Sequence, residues 1–256
     1  MSVSVSSPQS LQLSFYKTHK VKVIAAIKLL ISIGCLLHIG YFVTALFCCT
    51  LWANPVEELS HTTGEWGLHF LLLSLLITPL RRHLKWNDLL GFRRFLGLWS
   101  FFYIFVHFFG FILFDHFFNV SSIIEDVIER PYIAVGFTGF VLLVPLAITS
   151  FKRLQKKLGK RWFMLHKLVY VIGVLGVVHY WWLVKADIFW PIVYALIVFI
   201  LLADRASVFF KKRHFKNQQP SKTAPGSSVI HKKEAMAVTV TQKVNNCPIK
   251  NKNNYL

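Results

Sequence analysis

The chain has 256 residues, 55% of them hydrophobic and 16% aromatic, and a formal net charge of +18. Its apolar residues fall in blocks of about 20, the length that crosses a bilayer, which excludes a soluble domain and predicts a polytopic membrane protein. The lysines and arginines gather in alternate loops and in the C-terminal tail, as a topology signal does, so the charge does not mark a nucleic-acid binder.

Residues 1–22 are polar and end on Lys17, Lys20 and Lys22, forming a short N-terminal segment. Helix one is predicted over Val23–Thr50; it is too long for a signal-peptide core and lacks a small-residue cleavage site, so it is read as uncleaved. An acidic stretch with Glu57, Glu58 and Glu65 leads to a short helix two, about Trp66–Leu80, closed by Pro79. The His61-Thr62-Thr63-Gly64 run at its outer mouth is expected either to cap its start through a threonine or to contact a docking partner or a haem propionate. Arg81, Arg82 and Lys85 mark its exit, and Arg93 and Arg94 precede helix three, about Leu96–Phe117.

A second acidic loop carries Glu125, Asp126 and Glu129, and helix four then runs from Pro131, a natural first-turn residue, to Ser150. The most basic loop, with Lys152, Arg153, Lys156, Lys157, Lys160 and Arg161, opens helix five over Trp162–Val184. A turn with Lys185 and Asp187 joins it to helix six, Ile188–Ala203. Residues 206–256 are basic and polar and cannot bury enough apolar surface to fold alone. The charge alternation places both termini, the two–three loop and the four–five loop on the cytoplasmic side. The expected fold is therefore an all-α, six-transmembrane-helix bundle over residues 23–205, with no internal repeat beyond the helices themselves. Cys35, Cys48, Cys49 and Cys247 lack CxxC spacing and predict neither a disulfide framework nor a zinc site.

Histidines within a bilayer are costly and call for a role. His166 and His179 share helix five; thirteen residues give about 20 Å of travel and a return to within about 60° of one face. His107 sits in helix three within FFYIFVHFFGF, and His179 is followed by Tyr180, Trp181 and Trp182. Imidazoles on facing helices within an aromatic slot suit a b-type haem. Depth does not choose between His166 and His179 as the partner of His107, so one bis-histidine haem is supported and a second needs another ligand, such as His69, His61, water or a flavin. His38 and His69 are expected mostly to pack. Arg81, Arg82, Arg93 and Arg94 bracket a short loop and read either as a clamp for haem propionates or a flavin phosphate, or as the positive-inside signal. No nucleophile, carboxylate pair or phosphate-binding glycine loop is present, so the chain is expected to pass electrons rather than transform a bulky substrate.

The segments Asn54-Pro55-Val56, His61-Thr62-Thr63-Gly64, Thr78-Pro79-Leu80-Arg81-Arg82, Arg93-Arg94-Phe95-Leu96-Gly97-Leu98, Arg130-Pro131-Tyr132 and Leu158-Gly159 through His179-Tyr180 resemble the MsrQ (formerly YedZ) family. These are haem-binding membrane subunits of the bacterial periplasmic protein-methionine-sulfoxide reductase, within the wider ferric-reductase-like transmembrane group. The resemblance implies haem b, with FMN as a second cofactor, in the inner membrane. It implies a quinone or a cytosolic flavin reductase as donor and the periplasmic molybdopterin enzyme MsrP as acceptor. It assigns His107, His166 and His179 to haem ligation. A stand-alone ferric reductase of the same helix group is the alternative, although such a protein would normally carry a fused flavin and NAD domain. The tail beyond Asp204 exceeds what the resemblance requires.

Overall fold

The computed structural model describes residues 8–48, 54–184 and 188–218, and among them there is no strand. The order is α1 (Pro8–Cys48), α2 (Pro55–Leu84), a 3-10 turn (Asn87–Leu89), α3 (Leu90–Gly110), a π turn (Phe111–Asp115), α4 (Val120–Glu129), α5 (Pro131–Ile148), α6 (Lys152–Leu158), α7 (Lys160–Leu165), α8 (Leu168–Leu183) and α9 (Phe189–Gln218). Among the described residues, six stretches are long and apolar enough to cross a membrane: His19–Ala45, Val56–Leu84, Asn87–Asp115, Pro131–Ile148, Lys160–Leu183 and Phe189–Lys211. Cys49, Cys247, the turn with Lys185 and Asp187, and the tail from 219 onward lie outside the described residues.

Helix α2 is the centre of the bundle and departs furthest from the sequence expectation. It starts eleven residues before Trp66, because Asn54 caps it, Pro55 fills the first turn, and Glu57 and Glu58 complement the positive end of the helix dipole. The Asn54 Oδ1 accepts from the Glu57 amide at 3.4 Å. Thr63 is no cap; its hydroxyl donates to the Leu59 carbonyl at 2.6 Å inside the helix. Pro79 does not close the helix either, which runs on to Leu84 and stops where Lys85 turns left-handed at φ 54°. The predicted helix five is interrupted, with α7 and α8 separated at His166 and Lys167.

Three buried clusters hold the elements to α2. Cys35 of α1 packs with Phe70 and Ile77 of α2 and Tyr103 of α3. Leu68 and Leu72 meet Val177 of α8 and Tyr194 of α9, while Leu71 meets Leu143 of α5 and Ile172 of α8. Chain contacts divide the protein into two units, Met1–Arg205 and Ala206–Leu256, and the described part of the second is the end of α9.

The α2–α3 hairpin packs closely at Gly67. A Cβ there would stand 2.5 Å from Ile104 Cγ1 and 3.3 Å from the Ile104 backbone nitrogen, whereas Gly40 of α1 has nothing within 4 Å. Overpacking costs about 1–3 kcal/mol and outweighs the helix-propensity gain of up to about 1 kcal/mol that alanine brings. Gly67→Ala is therefore expected to lower the thermal unfolding midpoint in detergent, with Gly40→Ala unchanged or raised. Equal midpoints for the two variants would show that the hairpin is looser than described.

Candidate functional site

His107 of α3 and His179 of α8 face one another, their ring centres 6.3 Å apart and their planes at 75°. The two stand at the same depth: His107 is twenty residues past Asn87 and His179 nineteen past Lys160, where their spans begin. The Asn87–Leu89 3-10 turn and the early start of α3 make these depths equal, and that register is not visible in the sequence.

Each ring is held in one tautomer. His107 Nδ1 lies 2.8 Å from the Ser60 carbonyl oxygen, and His179 Nδ1 lies 2.7 Å from that of Tyr132. A carbonyl oxygen only accepts, so Nδ1 carries the proton in both, and Nε2 is left with its lone pair. This is how a metal-ligating histidine is commonly oriented, its second nitrogen fixed by a backbone carbonyl.

The cradle of each ring is the same. A Cβ on Gly64 would meet His107 at 3.2 Å, and a Cβ on Gly136 would meet His179 at 2.7 Å. Both glycines stand one helical turn after the carbonyl that accepts from the ring, so the imidazole lies flat against a helix with no side chain in its way. Carbonyl, glycine and histidine recur 72 residues apart, as Ser60, Gly64 and His107 and then Tyr132, Gly136 and His179. The α2–α3 and α5–α8 hairpins thus present the same grip twice, a repeat that the sequence reading did not detect because so few positions coincide.

Between the hairpins lies a cavity of about 780 Å3, with both histidines on its wall, within the usual range for cofactor sites of about 300–1,000 Å3. One end is apolar, walled by Leu68, Leu71, Ile104, Phe140 and Ile172. The other, beside α4, is polar, with His61, His116, Ser122, Asp126 and Arg130. A metal–imidazole bond is about 2 Å long, so two such bonds plus the depth of each ring require ring centres about 6 Å apart. The pair, the lone pairs and the flat apolar walls fit a haem.

The other sequence candidates stand elsewhere. His166 sits at the α7–α8 break, its Nδ1 3.2 Å from the Trp162 carbonyl oxygen and its ring centre 4.0 Å from that of Trp162, and it does not line the cavity. His38 Nδ1 lies 3.2 Å from the Tyr103 hydroxyl, and His69 Nε2 lies 2.7 Å from the Tyr194 hydroxyl, so both serve packing contacts between helices. None of Arg81, Arg82, Arg93 and Arg94 lines the cavity. Arg82 donates to both Asp204 oxygens, at 3.0 and 3.1 Å, and Arg94 Nε donates to Ser150 Oγ at 3.2 Å. These side chains tie α2 to α9 and α3 to the end of α5 at the opposite end of the spans from α4.

The sequence reading missed α4 and the polar end it builds. Asn119 caps that helix by accepting from the Ser121 and Ser122 amides, and Ser122 and Asp126, one turn apart, line the cavity. The Asn119 cap followed by Val120, Ile124 and Ile128 was a readable helix signal. Arg130 is pushed above its ordinary range by the Tyr132 side chain first and the Asp126 carboxylate second, so its charge is permanent.

Residues 63–177 match the family described as ferric reductase like transmembrane component. A protein-methionine-sulfoxide reductase heme-binding subunit MsrQ from Herminiimonas arsenicoxydans is 50% identical over 196 residues, covering 75% of this chain and 89% of the relative. The proteins of that name from Xanthomonas oryzae pv. oryzae (strain MAFF 311018) and Rhodospirillum rubrum are 45% and 42% identical, over 68% and 73% of this chain and 79% and 90% of theirs. No solved structure matches the chain.

Proposed function

This chain belongs to the MsrQ family of haem-binding subunits of protein-methionine-sulfoxide reductase, and from that premise we propose that it carries electrons across the inner membrane through a b haem held by His107 and His179. The observation that carries this reading is the facing pair, 6.3 Å between ring centres, each ring locked by a backbone carbonyl. A b haem bound there supplies a one-electron ferric–ferrous couple. The chain contributes the rest. The Ser60 and Tyr132 carbonyls orient the rings, Gly64 and Gly136 let them lie close, and Phe108, Phe140 and Ile104 keep water from the apolar end.

The basic ends of α2, α3 and α5–α7 face the cytoplasm by the positive-inside rule. There Arg81, Arg82, Arg93, Arg94 and His166 form the side that receives an electron donor, a quinone or a cytosolic flavin reductase, with FMN as the second cofactor. The α4 end faces the periplasm and the acceptor, the molybdopterin methionine-sulfoxide reductase MsrP, so the chain is an electron-transfer subunit and not the catalytic one.

The test is reoxidation. Dithionite-reduced protein, freed of excess dithionite and mixed anaerobically with a small fraction of an equivalent of the catalytic subunit and with methionine sulfoxide, is expected to return to its oxidised spectrum, two chains giving one electron each per sulfoxide, and to stay largely reduced when methionine sulfoxide is left out. Reoxidation by a ferric chelate alone, with none by the catalytic subunit, would favour the stand-alone metal reductase instead.

A further inference from the structure

We propose that the polar end of the cavity is a carboxylate clamp, in which His116 and Arg130 grip the acidic edge of the porphyrin held between His107 and His179. The inference rests on the haem reading and adds to it the residues that bind the ring's two propionates.

His116 carries the observation. It is 7% exposed, its Nδ1 lies 2.8 Å from Ser122 Oγ, and its Nε2 is buried on the cavity wall without a hydrogen-bond partner among the described residues. Asp126 Oδ2 is 3.3 Å from that nitrogen but does not complete a hydrogen bond with it. With the Ser122 hydroxyl donating to Nδ1 and the Asp126 carboxylate nearby, Nε2 carries the proton; a buried donor whose hydrogen bond is not made costs free energy, and a carboxylate presented from the cavity would satisfy it. Arg130 stands beside it, with Nε 3.4 Å from Asp126 Oδ1. A guanidinium has five N–H donors in a fork that matches carboxylate oxygens, more than Asp126 and the Tyr132 hydroxyl use. Asp126 thus lies between the imidazole and the guanidinium and positions both.

The backbone is bent to put His116 there. The π turn Phe111–Asp115 ends α3, and the next residues, Phe117 and Phe118, take positive φ of 47° and 63°. Left-handed backbone is unfavourable for bulky side chains and persists where the surroundings enforce it, often at binding sites. Leu68, Leu71, Ile104, Phe140 and Ile172, which wall the apolar end, offer no donor to a carboxylate, so the clamp would fix which edge of the ring points toward α4. At the basic end Arg82 is engaged with Asp204 and Arg94 with Ser150, and none of Arg81, Arg82, Arg93 and Arg94 lines the cavity.

The test uses the full chain stripped of haem and titrated with haem b or with haem b dimethyl ester, which keeps ring and iron but lacks the carboxylates. Charge-assisted hydrogen bonds predict that the wild type binds haem b about 10- to 100-fold tighter than the ester. Arg130→Gln and His116→Leu are each expected to reduce that preference by about 10-fold or more, with ester affinity unchanged as the control for folding. Equal affinity of the wild type for both rings, or a preference retained in both variants, overturns the clamp while leaving the haem reading intact. Failure of the wild type to bind either ring overturns both.

Discussion

Gly136→Ala is expected to cost the protein most of its haem. The new Cβ would stand 2.7 Å from Cε1 and 2.8 Å from Nδ1 of His179, closer than carbon approaches a ring. The ring must then leave the Tyr132 carbonyl, which it meets at 2.7 Å, or push α5 away from α8. Loss of such an orienting contact typically weakens metal binding by about 10- to 100-fold. In an open helical site the same substitution would stabilise by up to about 1 kcal/mol, so the sign of the effect is itself diagnostic. Gly64→Ala makes a useful comparison. Its Cβ would meet His107 at 3.2 Å, a shift of a few tenths of an ångström can relieve it, and the loss of haem is expected to be several-fold smaller. Haem per chain, measured on both purified variants, checks the order; equal retention would mean that the rings are not seated against these glycines.

What could be read from the residues alone follows from which forces act locally. Apolar blocks and basic loops are local, so six spans were legible, as were His107 and His179 as costly intramembrane groups. The pairing was not. It depends on α3 starting at Leu90 rather than Leu96, and a helix boundary six residues off amounts to about 9 Å of depth, enough to hide that His107 and His179 are level. The acidic run at Glu57 and Glu58 resembles a loop in charge, although Asn54 and Pro55 ahead of it are a start signal and acidic residues suit a first turn. The ring cradle could not be seen because its acceptors are backbone carbonyls, which every residue has. Its one sequence trace is the equal separation of glycine and histidine in the two hairpins, Gly64 to His107 and Gly136 to His179. The carboxylate clamp was hidden for a different reason. Arginine runs at Arg81–Arg82 and Arg93–Arg94 drew attention to the basic end, while His116, Asp126 and Arg130 come together only through the π turn and α4.

Replacing either ligand histidine has the largest expected effect. A haem bound between the two histidines would keep only one of the two imidazoles that hold it, and would lose its low-spin character, if either were removed. His107→Ala and His179→Ala are each expected to abolish the paired-imidazole spectrum. The two losses should not add if the rings grip one iron, as proposed. His166→Ala removes a ring that packs on Trp162, outside the cavity, and should leave that spectrum in place.

The most direct measurement is a reduced-minus-oxidised spectrum with pyridine haemochrome quantitation on the wild type and on His107→Ala, His166→Ala and His179→Ala. The expected result is a b-type low-spin signal in the wild type and in His166→Ala, and its loss in both His107→Ala and His179→Ala. An unaltered signal in His107→Ala or His179→Ala, or a colourless wild type, would contradict the assignment of this cavity to haem.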